Sequence, residues 1–182
     1  MHIHPDRPLG ITGSHESTNS LIKYIGWRAY GKTCAVKFEK SKGKNGSAVV
    51  SIDISSKQRN SARFDWKDKF TFQLNQSEII QAAAVFLGFK DTCSFGFHGP
   101  DKDKTLHLKR QHLNSPNFSI YLEIMQGNSN RGIPIYPDDI FFISQVLLDS
   151  LRVDHIDISE ATIISLIKAW VRNTTVTSNK TE

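Results

Sequence analysis

Arg63-Phe64-Asp65-Trp66-Lys67-Asp68-Lys69-Phe70-Thr71-Phe72-Gln73-Leu74-Asn75-Gln76-Ser77-Glu78 joins a basic, aromatic turn to a strand and then to a helix start. Phe70, Phe72 and Leu74 alternate with Lys69, Thr71 and Gln73, so one face of the strand is apolar and the other is cationic and hydrogen-bonding. Asn75 is a helix N-cap residue, and Glu78 stands three positions on, where it completes a capping box. A sheet with such a polar, cationic face meets what an unpaired nucleic-acid strand requires: cations for phosphates, aromatic faces for bases.

Working outward, the alternation predicts strands over residues 24–30, 33–39 and 48–54 before the one at 69–74. An Asn-Gly turn at Lys42-Gly43-Lys44-Asn45-Gly46 and a polar connector from Ser55 to Arg63 separate them. The period then changes to helical from Asn75 to Leu87, and Gly88 stops the helix. Four more strands follow, at 92–98, 104–110, 118–124 and about 131–136. A helix opens at Pro137 with Asp138 and Asp139 at its positive end and runs to about Arg152. A further helix spans about Asp157 to Arg172. The order is four strands and a helix, twice, plus one extra helix. Residues 1–22 and 173–182 are expected to be disordered flanks of a single domain over 23–172.

The chain has 182 residues, 38% of them hydrophobic, and no apolar run long enough to span a bilayer. Its net charge of +5 is uneven: residues 1–68 carry 12 Lys and Arg against 6 Asp and Glu, while residues 131–182 carry 5 against 7. A basic first third suits an anionic partner, and an acidic, helical end offers a surface for a protein partner. No secretory or transit pattern opens the chain, so a cytoplasmic or nucleoid-associated location is expected. Cys34 and Cys93 lie in apolar strands and read as core thiols.

Several local motifs, in this order, resemble the Whirly family of single-stranded DNA-binding proteins. Phe64-Asp65-Trp66-Lys67-Asp68-Lys69 is similar to that family's Tyr-Asp-Trp-Glu-Lys-Lys turn, and Phe72-Gln-Leu-Asn-Gln-Ser-Glu78 to its Phe-x-Leu-x-x-Ser/Thr-Glu. Phe95-Gly-Phe-His98-Gly-Pro100 resembles Phe-Phe-His-Asp-Pro. Leu106-His-Leu-Lys109, Phe118-Ser-Ile-Tyr-Leu122 and Ile133-Pro-Ile135 fall where the family has Lys-Ser-Leu, Gly-Tyr-Phe-x-x-Leu and Val-Pro-Val. Tyr30-Gly31-Lys32-Thr33-Cys34-Ala35 is a looser version of Lys-Gly-Lys-Ala-Ala-Leu, the strand implicated in higher assembly of the plant proteins. The resemblance covers about residues 24–155, and the last helix has no counterpart in it. It implies an α+β fold of two antiparallel four-stranded sheets packed crosswise, with helices that join protomers into a homotetramer. Its implied partner is single-stranded DNA, bound with little sequence preference in replication, recombination or repair. Whirly-type folds also include guide-RNA-binding mitochondrial proteins of trypanosomes, so RNA is the alternative partner.

Strand parity selects the candidate contact residues: Lys69, Thr71 and Gln73 on one strand, and Ser119 and Tyr121, with His107 and Lys109, on others. Lys67 flanks the aromatic turn, and Lys42 and Lys44 stand at a hairpin tip. Trp66 and Phe64 read equally as a stacking platform or as a plug closing the core. The same choice is open for Tyr30 and Trp27; Lys32 follows in the turn. Phe95 and Phe97 share parity and read as core. His98, His107 and His112 fit no metal-ligand spacing, and Asp101 and Asp103, interleaved with Lys102 and Lys104, read as solvated turn charges rather than a magnesium site near Glu123. No phosphate-cradling glycine motif and no activated nucleophile is present, so no catalysis, cofactor or metal is expected. The run Ile140 to Leu151 places apolar groups on more than one stripe, as a helix does when it also packs against a neighbouring protomer.

Overall fold

A computed structural model describes residues 26–43, 45–112, 118–152 and 158–178. Strands β1 (Gly26–Tyr30), β2 (Cys34–Lys42), β3 (Ala48–Lys57) and β4 (Phe64–Leu74) form one antiparallel sheet in sequential order. Helix α1 (Gln76–Phe86) leads to β5 (Thr92–His98), β6 (Lys104–His112), β7 (Phe118–Gln126) and β8 (Ser129–Ile135), a second antiparallel sheet in the same meander. Helices α2 (Pro137–Leu151) and α3 (Glu160–Ser178) follow. The expected order of elements is therefore the observed one.

The inner face of the first sheet is built from Val36, Phe38, Ile52, Ile54, Phe72 and Leu74, and that of the second from Leu106, Leu108, Ile120, Leu122, Ile124 and Ile133, all essentially fully buried. Each such side chain contributes about 1.5–3 kcal/mol on burial. The faces follow from register: Phe72 lies opposite Ile52, which lies opposite Phe38. One continuous core, shared with α1 and α2, holds both sheets.

The cap that the sequence predicts at Asn75 is present. Its Oδ1 accepts from Glu78 N at 3.1 Å, and Glu78 Oε2 accepts from Asn75 N at 3.0 Å. At the other end of α1, Phe89 N donates to Ala84 O and Gly88 N to Val85 O, a Schellman closure that needs the positive φ of +78° at Gly88. Glu78 also holds His98 Nε2 at 2.7 Å, and the His98 ring stacks on Phe72 at 4.1 Å, fastening the second sheet to β4. Arg131 of β8 makes a similar tie. Its guanidinium lies 3.8 Å from the Phe70 ring centroid, and Nη2 reaches Asp68 Oδ2 at 2.6 Å while Nη1 donates to the Asp68 carbonyl.

Four expectations are corrected. The connector drawn from Ser55 to Arg63 is shorter, because β3 runs to Lys57 and β4 starts at Phe64; a bulge between Ser55 and Lys57 lets pairing resume with Lys57 opposite Phe64. Helix α3 continues to Ser178, past Arg172 and into the segment read as a disordered tail. Ser119 is buried rather than solvent-exposed, with its hydroxyl 3.4 Å from Gln111 Oε1 on the neighbouring strand. Phe97 is not core. A bulge between Phe95 and His98 breaks the alternation, leaving Phe95 buried and Phe97 85% exposed.

Candidate nucleic-acid interface

Cross-strand register assembles the outer face of the first sheet. One row runs Arg28, Lys37, Asp53, Thr71, and the next runs Tyr30, Ala35, Ser55, Lys69. Gln73, opposite Ser51, extends the face along β4. The first half of β4 then folds over this surface. Phe64 meets the Tyr30 ring at 5.8 Å, and Arg28 lies 5.7 Å from the Trp66 ring, so both aromatics reach across to β1. Neither packs into the apolar core. Trp66 and Phe64 are half-buried rings on this outer face, Trp66 under Arg28 and Phe64 against Tyr30. A cation over a partly exposed indole is worth about 0.5–1 kcal/mol, enough to bias the ring's orientation.

Charge on this face is partly neutralised from within. Asp53, buried in the sheet, accepts from Lys69 Nζ at 2.6 Å and from Thr71 Oγ1 at 2.7 Å. Lys37 pairs with Glu39. Lys69 remains 41% exposed, so it is oriented by Asp53 and still open to solvent. Lys67 is exposed beside it, with its backbone N–H held by Asp65 Oδ1.

The second sheet turns a different surface outward. Lys109 lies opposite Tyr121 and Thr92, and His107 opposite Glu123 and Ser94. Lys109 is exposed, whereas His107 and Tyr121 are half-buried. Tyr121 rests on Gly132: a Cβ there would lie 2.2 Å from the phenol oxygen, so the glycine is required by this close approach. Burial, with smaller effects of Glu123 and Cys34, raises the Tyr121 phenol above its ordinary value and keeps it neutral. The β1–β2 turn joins the two surfaces, with Gly31 against Ile133 of β8 and Lys32 exposed next to it.

The candidates from sequence thus divide. Tyr30, Trp66, Lys67, Lys69, Thr71 and Gln73 belong to the first surface, and His107, Lys109 and Tyr121 to the second. Lys32 stands at the junction, and Lys42 is exposed at the end of β2. Lys44 lies outside the described residues. Arg28 was missed, although its shared parity with Tyr30 was the signal that places it on this face. Trp27, of opposite parity, turns inward: its indole donates to Asp139 Oδ1 at 2.9 Å and stacks on Phe142 at 3.9 Å.

Among the described residues, no group of three His, Cys, Asp or Glu is arranged to hold a metal ion. Burial, helped by Glu78 against an opposing effect of Lys90, pushes the Cys93 thiol up to about 12, which leaves it protonated and unreactive. Among the described residues, no helix is long and apolar enough to cross a membrane.

No family model matches the chain, and no curated protein matches it. Among solved structures, the crystal structure of WHY1 from Arabidopsis thaliana superposes with a TM-score of 0.53 at 17% identity, covering 74% of this chain and 86% of that one. This chain has a whirly-type fold. Within that fold, sequence identity is too low for side chains to be transferred, so the two outer surfaces rest on their own geometry.

Proposed function

We propose that the protein binds single-stranded DNA with little sequence preference, as a homotetramer without catalytic activity, in the cytoplasm or on a nucleoid. The single observation that carries this reading is the outer face of the first sheet. There Phe64 lies against Tyr30 and Trp66 against Arg28, and Lys69 stands at the far end of the cross-strand row that starts at Tyr30, so rings and cations share one face. Strand binding by the Whirly proteins, which the sequence motifs resemble, supports the same reading. The partly neutralised charge favours a weak, sequence-tolerant grip over base readout. Holding exposed strands during replication, recombination or repair is the role such a surface serves.

Oligomerisation is supported by α2, which leaves Phe141 61% exposed and Phe142 40% exposed on a helix whose other side is buried. Contiguous exposed apolar surface on a helix is what contact between protomers covers.

Fluorescence anisotropy with labelled oligothymidylate, a duplex of the same length and the matching RNA tests the proposal. Preference for the DNA single strand, with affinity falling as salt rises, is expected. Equal affinity for single strand and duplex ends the proposal. Equal affinity for DNA and RNA strands transfers it to the RNA-binding alternative.

A further inference from the structure

Phe97 is the most exposed large apolar side chain among the described residues, and it is held in a backbone conformation that suits it poorly. Its φ is +61°, a region that bulky side chains rarely occupy. A bulge that re-aims a side chain outward is a recurrent feature of binding sites, and local strain marks such places.

The residues on both sides hold it rigidly. Phe95 is buried in the second sheet, and His98 is clamped between the Phe72 ring and the Glu78 carboxylate. Lys104, paired with His98 across the hairpin, donates to the carbonyl of Thr71 at 3.1 Å. The end of the β5–β6 hairpin is thereby fixed against β4, the edge strand that presents Lys69, Thr71 and Gln73. Lys102 is exposed in the same turn, together with Asp101 and Asp103. The Phe-Phe-His motif that this stretch resembles carries its two phenylalanines side by side, whereas here Gly96 separates them and accompanies the bulge.

We propose that Phe97 is a stacking post for an unpaired base. The strand that crosses the outer face of the first sheet leaves it over the β4 edge and lays one base on this ring. The inference rests on the single-strand-binding reading and adds to it a site on the second sheet's hairpin, outside both outer faces.

The test compares Phe97→Ala, Phe97→Trp and Phe97→Gly with the unaltered chain, by anisotropy on labelled oligothymidylate and on an abasic strand of the same length. Phe97→Ala is expected to weaken oligothymidylate binding by about 5- to 150-fold, the range that one stacked base supplies. Its salt dependence should stay unchanged, because no phosphate contact is lost. Phe97→Trp should restore the affinity. On the abasic strand the unaltered chain and Phe97→Ala should bind alike. Phe97→Gly should bind as weakly as Phe97→Ala while melting about 2–4 °C higher, since the backbone strain is relieved. A ring needed only for folding cannot give those opposite signs.

Unaltered affinity in Phe97→Ala overturns the inference and leaves the proposed function standing. So does a lower sedimentation mass of Phe97→Ala, which would place the ring in a contact between copies. Failure of the unaltered chain to bind oligothymidylate removes both.

Discussion

The two sheets are alike in strand number, order and inner packing, yet their outer faces are chemically different. The first carries aromatic rings laid across it and cations held by partners: Trp66 on Arg28, Phe64 on Tyr30, Lys69 on Asp53. The second is flatter in chemistry, with one exposed lysine, Lys109, and with its aromatic, Tyr121, pressed onto Gly132. A ring propped up by a cation can receive a base, whereas a ring that fills the space over a glycine is already committed to the fold. Under the proposed function, the contrast makes stacking the expected contribution of the first sheet's outer face and leaves Lys109 as the charge contact of the second.

The largest expected effect tests the second sheet's interior. Cys93 has a folded-state pKa of about 12, against an ordinary value of 9.0. Because the folded value is raised, its contribution to stability is complete below about pH 9 and is lost as pH climbs toward 12. That loss is on the order of 1.4 kcal/mol per pH unit within the window. Chemical denaturation of Cys93→Val across pH 9 to 12 should lack the part of the decline that the unaltered chain shows. Identical declines would remove Cys93 as the cause.

Trp66→Ala sharpens the comparison itself. It should reduce single-strand affinity by about 1–3 kcal/mol with little change in salt dependence, measured by anisotropy at several salt concentrations. Lys109→Ala should do the reverse, lowering the slope of log affinity against log salt by about 0.7 with a smaller loss of affinity. If Lys109→Ala proves the more damaging, the roles of the sheets are exchanged.

Gly132→Ala probes the commitment of Tyr121 to the fold. The new methyl would displace the phenol ring, so a destabilisation of about 1–3 kcal/mol by denaturant unfolding is expected. At a temperature where the variant stays folded, strand binding should be nearly unchanged.

The smallest effect concerns Asp53. Asp53→Asn removes the charge that engages Lys69 and leaves an amide able to hydrogen-bond Thr71. Fold stability should fall by about 1 kcal/mol, while single-strand affinity rises a few-fold and the salt slope steepens, as a lysine is released to phosphate. An unchanged slope would mean that Lys69 does not meet the strand.

Much of the architecture was legible because it depends on neighbours in sequence. Asn75 and Glu78 close a cap over three residues, and the alternation of Phe70, Phe72 and Leu74 needs only the period of a strand. The candidate surface was legible for the same reason: parity identified Lys69, Thr71 and Gln73 without knowledge of what they face. Parity failed where the strand itself was irregular. The bulge before His98 reversed the direction of Phe97, and the irregular start of β4 carried Trp66 over to Arg28 on β1. Ser119, which parity placed outward, is buried, with its hydroxyl near Gln111 of the neighbouring strand.

The amino-acid order alone determined the succession of strands and helices, the inner and outer side of each regular strand, and where α1 begins and stops. Those features arise from backbone geometry and hydrogen bonds between residues a few positions apart. Which rings stay in water, which cations find a carboxylate, and how the candidate residues divide between two surfaces were decided only by the packing of the sheets. Those outcomes depend on contacts between residues distant in the chain, such as Trp27 with Asp139 and Arg131 with Asp68, and no local pattern encodes the distance between them.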